Sequence, residues 1–196
     1  MDILEIHTWN SRFEKVEHPD RIVFDMDPGE LATWPQVAAA AQMVRRLLQS
    51  VDLDSFPKTT GGRGLHVVVP LAPRVEWRAC LEFARALAET MEKHDRSRFT
   101  TAFAKAGRER KVLIDYLRNN RTNTSVAAFS TRARPGAPVS MTLKWEEVSP
   151  TSEPPAWNIA NAEERLRSLR KDPWKDYWTS RQRLTASATA ALRALE

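Results

Sequence analysis

The sequence predicts an α+β domain, a sheet with helices on one of its faces. Three observations predict it. Segments with strand-like side-chain alternation lie at 22–27, 64–71, 111–117 and 125–130, bounded by turn residues. Two stretches with helical apolar spacing fall between the first three of them. The resulting order is strand, helix, strand, helix, strand, strand, then helices, in a chain of 196 residues, a length suited to one domain of that class.

The first strand is Ile22-Val-Phe-Asp-Met-Asp27, closed by the turn signal Pro28-Gly29. Alternation puts Asp25 and Asp27 on one face and Phe24 and Met26 on the other. Thr33-Trp-Pro-Gln36 reads as a capping box with proline in the first turn. The helix it opens carries the stripe Val37, Ala40, Ala41, Val44, Leu47 and Leu48. After a glycine-rich turn, the second strand sets His66 and Val68 on one face and Leu65, Val67 and Val69 on the other. A second amphipathic helix spans about 75–93 and buries Trp77, Leu81, Leu87 and Met91 or close neighbours. In the third strand, 111–117, Asp115 shares a face with Leu113 and Leu117; 125–130 is the fourth.

Beyond Trp145 the character changes, with Pro150, Pro154 and Pro155 in a connector. This divides the chain into a core, 1–150, and a helical segment, 151–196, that packs on it through Trp174, Tyr177 and Trp178. In that segment Asn161-Ala-Glu-Glu164 is a second capping-box pattern, opening a helix that stops near Asp172-Pro173, and 175–195 forms another helix. On this layout the acids and His66 lie on the uncovered face of the sheet.

The net charge is +5, which favours polyanions as partners without requiring them. The distribution says more. From Lys105 to Arg134 eight basic residues, Arg108 among them, face only Glu109 and Asp115. The single cysteine, Cys80, excludes an internal disulfide and a cysteine-built zinc site, and it falls within a predicted helix as a core residue. No apolar run is long enough to span a bilayer and no signal peptide is seen, so the expected location is cytoplasmic, with no membrane partner.

Two aspartates one residue apart on an apolar strand repel one another, and a divalent cation relieves that repulsion. Hard cations such as magnesium or manganese take oxygen ligands, and a third carboxylate from another strand completes a site for two ions of the kind used in phosphoryl displacement. Read alone, Asp25 and Asp27 fit equally a strand end before Pro28. Asp115 in mid-strand among Val112, Leu113, Ile114 and Leu117 needs a partner. In Lys58-Thr-Thr-Gly-Gly-Arg-Gly-Leu-His66 the glycines let backbone amides approach a phosphate, and Thr60 and Arg63 can add hydrogen bonds. His66 could donate to a phosphate oxygen or be a structural histidine. Arg118, Arg132 and Arg134 offer guanidinium forks suited to phosphates, while Arg121 reads as a surface residue.

Four motifs in order carry a resemblance: Arg21-Ile-Val-Phe-Asp-Met-Asp-Pro-Gly29, Lys58 to His66 as above, Ile114-Asp-Tyr-Leu-Arg-Asn-Asn-Arg121, and Ser130-Thr-Arg-Ala-Arg-Pro-Gly-Ala-Pro-Val139. From about Leu4 to Trp174 the chain resembles the polymerase domain of bacterial DNA ligase D, in the archaeo-eukaryotic primase superfamily. The resemblance implies an RRM-like primase-polymerase core with a mainly antiparallel sheet. It implies that Asp25, Asp27 and Asp115 are the catalytic metal ligands for manganese or magnesium, two ions in all. It implies that Lys58, Thr60, Gly61, Gly62, Arg63, His66, Arg118, Arg132 and Arg134 bind the nucleotide, and that His7 is a further site residue. Thr60 stands where the family usually has serine. Thr122 departs from the family's usual glycine.

The implied activity is template-dependent nucleotidyl transfer, extending a DNA or RNA primer or filling a gap with nucleoside triphosphates, ribonucleotides preferred. The implied setting is end joining at bacterial DNA. Partners would be primer–template or gapped DNA, with Ku and a DNA ligase. The resemblance also places Met1 well inside the family's domain, so a separate chain supplying the N-terminal segment is a further expected partner. Two other readings compete: a shortened homologue that binds nucleotide or DNA and assists a partner protein, and a phosphohydrolase.

Overall fold

The computed structural model describes residues 3–195. A short strand β1, His7–Thr8, precedes the long strand β2, Arg21–Pro28. Helix α1, Trp34–Gln49, leads to β3, Phe56–Thr59, and β4, Leu65–Pro70. Helix α2, Trp77–His94, is followed by β5, Phe99–Thr100, β6, Val112–Asp115, and β7, Ser125–Val126. Helices α3, Ala162–Ser168, and α4, Ala186–Ala194, lie in the C-terminal part. The main sheet has five strands in the order β3-β4-β2-β6-β5, all pairs antiparallel except β5 with β6. β1 and β7 form a separate antiparallel pair. The predicted α+β architecture is the observed one.

The two long helices form where the apolar spacing places them. α1 opens at Thr33, whose N–H donates to the Gln36 carboxamide at 2.8 Å, and Pro35 sits where no amide partner is needed. It buries Val37, Ala38, Ala40, Ala41, Val44 and Leu48, with Leu47 only partly covered. On α2 the buried face is carried by Cys80, Phe83, Ala84 and Leu87, and Leu81 is half-buried. Both helices cover the sheet face made by Ile22, Phe24, Met26, Leu65, Val67, Val69, Val112 and Ile114. Burial raises the Cys80 thiol to about 12, so it is an inert part of this core.

The opposite face departs from the sequence expectation: it is not uncovered. At one end Val23 and Val68 pack under Trp174 and Tyr177, whose rings stack at 4.7 Å, with Phe56 edge-on to both. At the other end His7 of β1, Ser125 and Val126 of β7, and Arg132 and Arg134 line a cavity over Asp25, Asp27 and His66. Period-two patterning records which side chains share a face, but not what a distant segment lays over it.

Other elements differ too. β3 lies in what read as the approach to a turn. Its Pro57 is tolerated because β3 is the edge strand, and the Pro57 carbonyl is used by Leu143 N–H and by Trp174 Nε1–H at 2.9 Å. The fourth predicted strand shrinks to Ser125–Val126, because Phe129 adopts a left-handed φ of 65° that ends the extended run. The Asn161 capping box does not form: the Asn161 side chain accepts from Asn158 N–H instead, and α3 ends at Ser168. The tail is helical only from Ala186, capped by Thr185, whose hydroxyl accepts from Ala188 N–H. Before it, the Gln182 side chain bonds the backbone of Asp54 and Pro70 and holds the chain extended.

Candidate active site

The strand register assembles the site. Lys58 on β3 is opposite His66 on β4, His66 is opposite Asp25 on β2, and Asp25 is opposite Asp115 on β6. Directly opposed residues point to the same face, so these four side chains form one row across four strands. Asp27, two residues along β2, joins the same face. The row is buried: exposures are 4% for Lys58, 2% for His66, 7% for Asp25 and 8% for Asp115. Such a concentration of ionisable groups is costly unless they neutralise one another.

They do so partly among themselves. His66 Nε2 is 3.4 Å from Asp25 Oδ2, while His66 Nδ1 has no hydrogen-bond partner among the described residues. Burial works to raise the Asp25 pKa, but His66, Arg118 and Lys58 outweigh it and hold the carboxyl at about 2. Burial pushes His66 down to about 4, so its imidazole is neutral at physiological pH, and pushes Lys58 down to about 7. Asp115 goes the other way. Its burial, with Asp25 and Asp27 nearby, outweighs Arg118 and raises it to about 6. The two facing carboxylates thus have opposite shifts, as expected when like charges share a site.

Arginines complete the neutralisation. Arg118, in the 3-10 turn Leu117–Asn119 that follows β6, places Nε 3.1 Å from Asp25 Oδ2 and 3.2 Å from Asp115 Oδ2. Arg108 puts Nη2 3.0 Å from Asp27 Oδ2 and Nη1 3.3 Å from the Asp27 carbonyl. Among the described residues, no three histidine, cysteine or acidic side chains are arranged to hold a metal ion. The three predicted ligands are adjacent, yet each carboxylate is engaged by an arginine.

In front of the row lies a cavity of about 210 Å3. Asp25, Asp27 and His66 form its floor, with Thr60, Gly62, Arg63 and Gly64 on one side and Arg118, Arg132, Arg134 and His7 around it. The glycine turn is self-bonded. The Thr60 hydroxyl donates to the Gly64 carbonyl and accepts from Gly62 N–H, and Gly61 adopts a φ of 69°, a conformation that glycine takes without strain. Arg63 is committed to structure, donating to the carbonyls of Gly29, Glu30 and Ala32. Arg132 donates to the Thr60 carbonyl and pairs with Glu5 at 2.9 Å. Glu5 also lies 2.5 Å from His7 Nε2, and that contact, with Ala133 N–H and Arg132, holds the Glu5 carboxyl at about 2. Arg134 is the cavity cation that, among the described residues, has no side-chain hydrogen bond or ion pair.

Not every predicted residue reaches this cavity. Lys58 does not line it: its ammonium donates to Ser140 Oγ at 2.9 Å, at the β3 end of the row. Gly61 and Asp115 are likewise absent from the lining, and Arg118 stands between Asp115 and the open space. Arg121 pairs with exposed Glu17 elsewhere.

The sequence reading missed two residues. Arg108 stood out only as one of a basic run. Asn119, 1% exposed, stood in the third motif but was given no role. Its carboxamide accepts from Val23 N–H and donates to the Val23 carbonyl, each at 2.8 Å. β6 pairs with β2 only from Asp25 onward, so this amide stands in for the missing strand and anchors the turn that carries Arg118.

The family described as "LigD, primase-polymerase domain" matches residues 1–174. This chain belongs to the LigD primase-polymerase family. Among its relatives, the multifunctional non-homologous end joining protein LigD of Pseudomonas aeruginosa is 38% identical over 188 residues, covering 95% of this chain and 22% of that protein. The protein of the same name from Mycolicibacterium smegmatis is 36% identical over 148 residues, covering 74% of this chain and 19% of that protein. The solved polymerase domain of Mycobacterium tuberculosis Ligase D in complex with DNA superposes with a TM-score of 0.81 at 28% identity, over 91% of this chain and 64% of that one. The chain thus spans about a fifth of the length of these curated relatives.

Proposed function

We propose that this chain carries out template-dependent nucleotidyl transfer at DNA ends, joining a nucleoside triphosphate to a primer terminus. The observation that carries the reading is Asp25 and Asp27 facing a glycine turn and Arg134 across one cavity, with Asp115 paired beside Asp25 on the neighbouring strand. In this reaction the primer 3′-hydroxyl gives up its proton to solvent, its oxygen bonds to the α-phosphorus, the bridge to the β-phosphate breaks, and pyrophosphate leaves.

The donor set fits a divalent cation in kind. Three carboxylates supply hard oxygen ligands, with Asp25 and Asp115 facing one another on neighbouring strands and Asp27 beside them. Asp25, Asp27 and Asp115 would hold manganese or magnesium, two ions in all. Bound there, such ions stabilise negative charge on the attacking and leaving oxygens. The chain's own groups do the rest. Arg134 and amides of the Thr60–Gly64 turn bind the phosphates, His66 orients Asp25 through Nε2, and Arg63 ties the glycine turn to residues 29–32.

The end-joining role of the LigD relatives and the DNA bound by the solved ligase D polymerase domain support end joining as the setting, with DNA as the template-bearing partner; Ku and a ligase are further proposed partners. A second reading, nucleotide or DNA binding without turnover, is favoured by the arginines that occupy all three carboxylates. Primer extension with manganese, nucleoside triphosphates and gapped DNA separates the two. Template-directed extension that Asp25→Ala abolishes supports transfer. Nucleotide binding without extension supports the second reading. Extension by Asp25→Ala equal to wild type sinks the assignment of the acid row.

A further inference from the structure

We propose that Arg118 is a removable counter-ion: it fills the charge position between Asp25 and Asp115 until nucleotide phosphates draw it away, so that metal and nucleotide binding are coupled through this one side chain. The inference rests on the metal-assisted reading above and adds a positioning role for Arg118 within it.

One guanidinium neutralises two carboxylates from neighbouring strands. Its Nε lies 3.1 Å from Asp25 Oδ2 and 3.2 Å from Asp115 Oδ2, and its Nη2 is 3.1 Å from Asp25 Oδ2. A cation that took oxygen from both aspartates would have to enter that space, and two positive charges cannot share it at these distances. Arg118 therefore stands in the space between the two carboxylates that such a cation would need.

Arg118 is also built to leave. Its side chain is 37% exposed, against 10% and 11% for the two carboxylates beneath it. Among the described residues its one other side-chain hydrogen bond is a long one, 3.4 Å, to the Thr124 carbonyl. Its backbone, in contrast, is fixed by Asn10, which donates to the Arg118 carbonyl, and by Asn119. A fixed base with a loosely held tip lets the guanidinium swing without refolding. The same cavity supplies the alternative site, since phosphates held at the glycine turn and Arg134 would offer it bidentate oxygen partners. Coupling of this kind is reciprocal: what weakens the grip of Arg118 on the acids strengthens metal binding, and the reverse.

The test is Mn2+ titration of the full chain without nucleotide, by calorimetry, on wild type, Arg118→Gln, Arg118→Lys and Arg121→Gln. Arg118→Gln is expected to bind Mn2+ roughly 5–150-fold more tightly than wild type, the usual span for coupled sites. Arg118→Lys, which keeps a charge in place, should stay near wild type. Arg121→Gln removes an equal charge outside the site and should change nothing. Binding by wild type with equal or weaker binding by Arg118→Gln overturns the inference and leaves the metal reading standing. No Mn2+ binding by any of the proteins overturns both. Should Arg118→Gln fail to fold, the Nε–H resonance of Arg118 in the wild-type protein decides. Mg2+ is expected to shift it and speed its exchange with water. A resonance unmoved at saturating Mg2+ overturns the inference.

Discussion

Asp115→Asn should make the metal-free protein more stable while removing its activity. In the folded chain the Asp115 pKa is raised from 3.8 to about 6, by burial first and then by the Asp25 and Asp27 charges. At about 1.36 kcal/mol per unit, keeping this group ionised costs on the order of 3 kcal/mol. The sign follows from linkage. Above pH 6 the carboxyl is ionised both folded and unfolded, and the full cost is present. Between pH 6 and 3.8 the folded state takes up the proton first and the cost fades; below 3.8 it is gone. Asparagine keeps the shape and an acceptor for Arg118 and Leu117 N–H without the charge. The expected gain is therefore up to about 3 kcal/mol at pH 7.5, or roughly 6–12 °C in melting temperature for a domain of this size. Thermal denaturation of both proteins from pH 4 to 8 reads it, with primer extension alongside. A variant that melts at or below wild type at pH 7.5, or a gain of equal size at pH 4, would refute the argument. Such a trade is expected where function keeps like charges together.

Other expectations follow from the same geometry. His66, lowered from 6.5 to about 4 by burial, contributes with the opposite slope: its stabilisation is lost as pH falls from about 6.5 to 4, and His66→Gln should flatten that loss in the same melting series. Asn119→Ala leaves Val23 N–H and C=O without partners in a buried strand, so chemical denaturation should show a loss of about 2–4 kcal/mol, from two groups at about 1–3 kcal/mol each with partial relief. Gly29→Ala sets a methyl 2.0 Å from the Arg108 carbonyl and should cost about 1–3 kcal/mol, with weakened primer extension because Arg108 and Asp27 move with it. Arg134→Ala should weaken nucleoside triphosphate binding without changing the melting temperature, since its side chain makes no hydrogen bond or ion pair among the described residues; an unchanged nucleotide affinity would remove it from the phosphate site.

Much of the fold was legible because the signals are local. Helices α1 and α2 follow from apolar spacing, and β2, β4 and β6 from alternation that separates Asp25, Asp27, His66 and Asp115 from Ile22, Phe24, Met26, Leu65, Val67 and Ile114. β3 escaped notice because four residues with a proline before a glycine turn carry no period, and α4 began later than expected because Gln182 bonds Asp54 and Pro70, far away in sequence.

The sequence by itself determined the chemical inventory: which acids, histidine, glycines and arginines stand in family motifs, and which side of each strand they occupy. Only the tertiary structure decided how they are used. Strand register, set by hydrogen bonds between segments up to some ninety residues apart, aligns Lys58, His66, Asp25 and Asp115 in one row, and alternation within a strand carries no information about that alignment. The arginines show the same division. Arg63, Arg108, Arg118, Arg132 and Arg134 look alike in sequence, but a long side chain reaches whatever folding brings near. One holds carbonyls, one holds Asp27, one bridges two carboxylates, one braces Thr60, and Arg134 alone faces the cavity with its guanidinium unengaged among the described residues.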